Sequence, residues 1–237
     1  MKKKFTLLLL ISVVALRGSS DQELFLRGNQ FYEQKEYAQA FETYQKINKK
    51  GNAVWFNLGN CAFHLENYAH AFAYWKRARH YASVQELDAI AFNINVLETK
   101  LGKETHVSKL TQIIERFSAY FSLGQAQFLF LLSWFLLFLL CIVYNQRKRY
   151  GILVPLSLLS VIMGGLVVVK YNTAMHHYGI VLNDKVTLYA GPNDQYQVIG
   201  EIDPMIEVQV NDHKEQWCKI EHQHMVGWVP ADKLMLV

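Results

Sequence analysis

The sequence predicts a multidomain membrane protein in three parts: all-α helical repeats, a two-helix transmembrane hairpin and a small all-β barrel. Three observations lead there. Two long apolar runs stand close together in the middle of the chain, a 24-residue segment ahead of them recurs at a fixed offset, and the residues after them break into short alternating runs.

The hairpin is the plainest element. Ala126–Tyr144 is 19 residues without a charge, and Ile152–Val169 is 18 more, with Pro155 in its first turn where a missing amide donor costs least. About 20 apolar residues at helical rise cross a bilayer core. The link, 145–151, carries Arg147, Lys148 and Arg149, and short loops rich in Lys and Arg stay on the cytoplasmic side. Residues 1–18 point the same way, because "MKKK" followed by "FTLLLLISVVAL" has the order of a secretory signal. Cleavage after Ala15, cleavage after Gly18 and an uncleaved anchor all fit. The expected location is a bacterial cytoplasmic (inner) membrane, crossed twice, with both flanking modules on the extracytoplasmic side.

Charge by segment removes a misleading signal. The net charge of +4 suggests nucleic acid as a partner, but residues 1–20 hold four cations, the link three, and Lys170 is one more. Residues 21–125 hold 12 basic and 11 acidic side chains, and residues 178–237 hold 4 basic and 9 acidic. The basicity therefore belongs to membrane insertion, and no nucleic-acid partner is expected. Cys61, Cys141 and Cys218 fall one to each region without paired spacing, so free thiols are expected.

In the first module, residues 24–47 recur as 55–78 at an offset of 31, pairing Gly28 with Gly59, Asn29 with Asn60, Tyr37 with Tyr68, Ala40 with Ala71 and Tyr44 with Trp75. A third copy begins at an offset of 36, aligning Phe56 with Phe92 and Asn57 with Asn93, and only its first helix survives. Such a repeat reads as a helix pair, with small residues where backbones approach and aromatic residues in the seam. A terminal helix near 88–101 is the expected cap.

These positions, with Trp55, Leu58, Gly59, Ala71, Trp75 and Ala78, resemble the tetratricopeptide (TPR) pattern over residues 21–103. The resemblance implies a concave groove that holds a protein segment. Carried over position by position, its lining is Phe25, Asn29, Tyr32, Phe56, Asn57, Asn60, Phe63, His64, Phe92 and Asn93. TPR modules that clamp acidic tails carry cations where this chain has Phe25, Ala89 and Asn93, so the implied ligand is neutral or apolar. Simple support of the groove wall is the competing role of each Asn.

Residues 104–125 form an amphipathic connector, since Leu110, Ile113, Ile114, Phe117, Tyr120 and Phe121 recur at three and four. The membrane surface and the repeats are equally good places for that face.

Residues 178–237 read as short strands with turn residues between them. The runs around Val186, Val198, Val208, "QWCKI" and "VGWVP" resemble the bacterial SH3-like domain, with Pro204-Met205 where that family has Gly-Thr. Tyr189 and Tyr196, near the Gly191-Pro192 turn, are the expected surface contacts, and Trp217 and Trp228 are expected in the core. Cys218 with His222 or His224 has the residue types of a thiol peptidase, but no catalytic domain accompanies them. No catalytic residue, cofactor or metal site is expected, and the chain reads as non-enzymatic.

The whole order resembles the BatE-type proteins of the aerotolerance (Bat) operons. That resemblance implies a membrane scaffold whose partners are envelope proteins carrying von Willebrand factor A and TPR domains. A cell-wall-binding adaptor, holding peptidoglycan and recruiting a hydrolase, is the alternative.

Overall fold

The computed structural model describes residues 20–102, 109–143, 150–182 and 185–237. The expected signal segment 1–18 and the link cations Arg147, Lys148 and Arg149 lie outside the described residues. The described residues up to 102, together with Tyr178–Val237, form one compact unit, and those between 109 and His177 form a second.

The first unit opens with five helices: α1 (20–33), α2 (Tyr37–Gln45), α3 (Asn52–His64), α4 (Tyr68–His80) and α5 (Val84–Lys100). The 31-residue sequence repeat is a structural repeat. Lys35 and Glu66 both take left-handed backbone at φ 62° and 60°. Each is followed by an amide that reaches back five residues, Glu36 N–H to the Phe31 carbonyl and Asn67 N–H to the Ala62 carbonyl, both at 2.9 Å. That bond satisfies a helix-end carbonyl and reverses the chain.

Gly28 and Gly59 do equivalent work at the crossing points. A Cβ at Gly59 would fall 2.5 Å from the Trp75 indole, and one at Gly28 would collide with the Tyr44 ring. Tyr44 and Trp75 are therefore buried against bare backbone. The expected single terminal helix is α5, which starts before residue 88 because Ser83 and Glu86 cap it. The Glu86 carboxylate accepts from both the Ser83 N–H and the Ser83 hydroxyl at 2.7 Å.

The same unit ends in seven strands: β1 (His177–Val181), β2 (Val186–Tyr189), β3 (Val198–Ile202), β4 (Glu207–Lys214), β5 (Trp217–His222), β6 (Met225–Pro230) and β7 (Leu234–Leu236). Their order is β3-β2-β6-β5-β4-β1-β7. Val181, Val186, Leu188, Ile202, Val208, Cys218, Ile220 and Val229 form the barrel core. Strand β1 is buried on both faces at its C-terminal end: Val181 belongs to the barrel core, whereas its neighbour Ile180 belongs to the hydrophobic cluster of the helices. Met205 joins that helical cluster too, with Leu182, Met235 and Val237 packed against it. Met205 sits at φ 65°, where glycine is the unstrained choice. Its side chain is what glycine could not supply. Outside this apolar contact Lys76 of α4 pairs with Glu207 of β4 at 2.7 Å, an exposed bridge that contributes at most about 1 kcal/mol.

The second unit holds α6 (Lys109–Ala119), α7 (Leu123–Val143) and α8 (Tyr150–Met175). Leu123–Ile142 and Leu153–Thr173 are each long and apolar enough to cross a membrane. Helix α8 runs past the expected end at Val169, since the residues up to Met175 include neither Gly nor Pro. Ser160 donates to the Ser133 hydroxyl at 2.9 Å in the buried seam between α7 and α8. A Cβ at Gly164 would come within 3.1 Å of the Phe130 ring. Ser157, three residues before Ser160, is exposed and donates to its own helix at the Val154 carbonyl.

Gly59→Ala is expected to lower the stability of the full chain by about 1–3 kcal/mol, the usual cost of overpacking a filled site. A reduced unfolding midpoint of the helical signal in detergent checks it.

Candidate binding cleft and aromatic face

Two hydrogen-bonded triads, one per repeat, tie the helices together. In the first, the Tyr44 hydroxyl donates to Asn29 Oδ1 at 2.6 Å, and Asn57 Nδ2 donates to Asn29 Oδ1 at 3.3 Å and to the Tyr44 oxygen at 3.1 Å. In the second, Trp75 Nε1 donates to Asn60 Oδ1 at 3.0 Å and Asn93 Nδ2 donates to the same oxygen at 2.8 Å. An indole N–H can only donate, so the atom Asn60 turns toward it must be its carbonyl oxygen, and Asn93 must then present its amide nitrogen. The Asn60 amide group is left directed away from the pair.

Beside the second triad is a cleft of about 280 Å³, lined by Tyr32, Phe56, Asn60, Phe63, His64, Trp75, Asn93 and Val96. That is just under the range of roughly 300–1,000 Å³ for small-molecule pockets, and suits a short apolar segment or one or two large side chains. His64 stacks on Tyr37 at 4.0 Å between centroids, with the ring planes 5° apart. Burial holds its imidazole below the ordinary histidine value, so the cleft wall is uncharged at neutral pH. Lys100 lies 5.2 Å from the Phe63 centroid and 4.8 Å from that of Tyr68, a cation on the π faces rather than in the cleft.

Six expected groove residues thus come together: Tyr32, Phe56, Asn60, Phe63, His64 and Asn93. Phe25, Asn29 and Asn57 lie one repeat back, where Phe25 packs on Tyr44 at 5.9 Å and the two amides belong to the first triad. Phe92 departs from expectation. It is 66% exposed and outside the cleft lining. Its counterpart Phe56 lines the cleft with Asn93 and Val96 of α5, and the sequence has no further copy after α5. Sequence reasoning missed Val96 and the lining role of Trp75. The offset of 31 already paired Trp75 with Tyr44 as a seam residue, but which ring edge faces outward is a matter of packing.

On the barrel, Tyr189, Trp217 and Trp228 share the face opposite the core. Tyr189 is in register with Trp228, which faces Lys219 on β5, and the Tyr189 and Trp217 rings meet edge-on at 5.5 Å. The expectation that Trp217 and Trp228 are core residues is corrected: both are half-buried and outside the core cluster. Strand alternation is the reason, since Cys218 and Val229, each adjacent in sequence, take the inward positions. Tyr196 is 52% exposed, its ring lying over Gly191.

Residues 184–234 match the family model for the bacterial SH3 domain. The chain has no match among curated proteins. The matched span holds β2 to β6, and strand β1 with Ile180 lies ahead of it.

The two buried thiols are poorly suited to attack. Cys218 is buried in the barrel core, and burial raises its thiol. Burial also pushes Cys61 up to about 12. Nucleophilic cysteines need the opposite shift.

Asn60→Ala leaves the Trp75 N–H and the Asn93 amide without their common acceptor, and is expected to cost about 1–3 kcal/mol. Chemical denaturation of the full chain monitored by tryptophan fluorescence measures it.

Proposed function

We propose that this protein is a non-enzymatic, membrane-anchored scaffold of the BatE type, whose helical module is a TPR domain that holds a neutral or apolar segment of a partner protein. The observation that carries this reading is the cleft beside the Asn60–Trp75–Asn93 triad, uncharged and lined by aromatic rings and amides. An apolar side chain entering it gains hydrophobic free energy, and a carboxylate would lose its hydration without a cation to replace it.

The bacterial SH3 domain is consistent with protein or cell-wall binding. Two apolar helices separate the modules in sequence. The helices and the barrel share one hydrophobic cluster, which favours their lying on the same side of the bilayer and an even number of crossings between them. The signal-like start and the cationic link favour the extracytoplasmic side. By resemblance, the partners are envelope proteins with von Willebrand factor A or TPR domains.

The half-buried strip of Tyr189, Trp217 and Trp228 supports a second reading, an adaptor for peptidoglycan, since flat aromatic faces suit sugar rings and peptide alike. The barrel sequence carries 9 acidic and 4 basic side chains, and peptidoglycan carboxylates are repelled by that charge within about 8–10 Å. The protein-contact reading is therefore preferred.

Val96→Arg, which places a charge at the cleft, is expected to abolish capture of the bound protein in mild-detergent affinity purification. Phe92→Arg, outside the cleft, should leave capture intact, and loss by neither variant would remove the cleft from the reading. For the barrel, the full chain in detergent is expected not to sediment with isolated peptidoglycan. Saturable sedimentation that Trp217→Ala abolishes would establish the wall-binding alternative.

A further inference from the structure

Among the described residues of the second unit, no element covers the apolar face of helix α6. Leu110, Ile113 and Tyr120 are 66%, 62% and 67% exposed, and Ile114 and Phe117 lie on the same arc. Thr111 and Glu115 occupy the opposite arc at helical spacing.

Two features of the chain limit what can cover that face. Only residues 120–122 separate α6 from α7, and three residues reach at most about 10 Å. The corner is also built: the Ser122 N–H donates to Gln125 Oε1 at 2.9 Å, and the Gln125 N–H donates to the Ser122 hydroxyl at 3.2 Å. This reciprocal cap starts α7 as a separate helix, so α6 is a distinct element at the mouth of the first span. The apolar surface is continuous through the turn. Phe117 meets Phe121 edge-on at 5.5 Å, and Phe121 packs against the cluster of Ala126, Met163 and Leu166 inside the hairpin.

We propose that α6 lies in the interface of the bilayer, with Leu110, Ile113 and Phe117 at the boundary of headgroups and acyl chains and Glu115 toward water. The inference rests on α7 and α8 being membrane spans. Given that, the three-residue link holds the C-terminal end of α6 at the membrane surface, where an amphipathic helix buries its apolar side about 5–10 Å deep. Tyr120, with a polar tip on an apolar ring, suits the headgroup level at the corner.

The test uses the full chain in phosphatidylcholine nanodiscs. Cys141→Ala removes the exposed thiol, and Cys61 and Cys218 are buried. Spin labels are placed one at a time by Ile113→Cys, Glu115→Cys, Leu136→Cys and Leu158→Cys. Collision rates are measured with oxygen, which concentrates in lipid, and with a water-soluble nickel chelate. The proposal expects oxygen to dominate at Ile113 and the chelate at Glu115. Dominance of the chelate at both positions puts α6 in water, and exclusion of both reagents at Ile113 puts the face under protein. Either result overturns the proposal. The labels at Leu136 and Leu158 keep the two readings apart: chelate dominance there overturns the spans themselves, whereas oxygen dominance there with either adverse result at Ile113 overturns α6 alone.

Discussion

The last three residues of strand β1, Gly179–Val181, have no solvent face, and much of the arrangement of the first unit depends on that. Ile180 and Val181 are adjacent and both fully buried, one in the helical cluster and the other in the barrel core. Side chains alternate along a strand, so this burial requires apolar matter on both sides. The helices supply one side and the barrel the other. Met205 reinforces the contact while holding a backbone conformation that costs a non-glycine residue on the order of 1–2 kcal/mol. Separating the modules would expose Ile180 and Met205 together.

The same logic of one group serving two partners organises the helices. Asn60 uses one carbonyl oxygen for both Trp75 and Asn93, and Asn29 does so for Tyr44 and Asn57. Each triad joins the two helices of one repeat to the first helix of the next copy. The bonds orient a large ring in the seam while leaving polar edges on the groove wall. Asn60 therefore supports the cleft wall through Trp75, and under the proposed function the same amide meets the ligand.

The proposed scaffold and the proposed interfacial helix share a physical theme. Neither involves a reactive group, and in each the informative feature is apolar surface left open beside well-satisfied polar groups. For the cleft, the open surface is small and concave, which suits a side chain. For α6 it is a long arc joined by three residues to an apolar helix, which suits lipid.

Much was legible from the amino-acid order alone, because some residues act through local periodicity. The two apolar runs, the offset of 31 that pairs Gly28 with Gly59, and the alternating strands each follow from spacing along the chain. Spacing also brought Tyr32, Phe56, Asn60, Phe63, His64 and Asn93 into the candidate site. What only the tertiary structure decided is which face each residue presents. Phe92 has the same place in its copy as Phe56, yet it is exposed, and the sequence has no further copy of the repeat after α5. Trp217 and Trp228 have the size of core residues, yet Cys218 and Val229 hold the inward positions. Val96 reaches the cleft only because α5 packs beside α3 and α4, and Ile180 turns to the helices only because the barrel docks there. Periodicity assigns a residue to a face of its own element, but the neighbour on that face comes from another part of the chain, and its free energy appears only when the two meet.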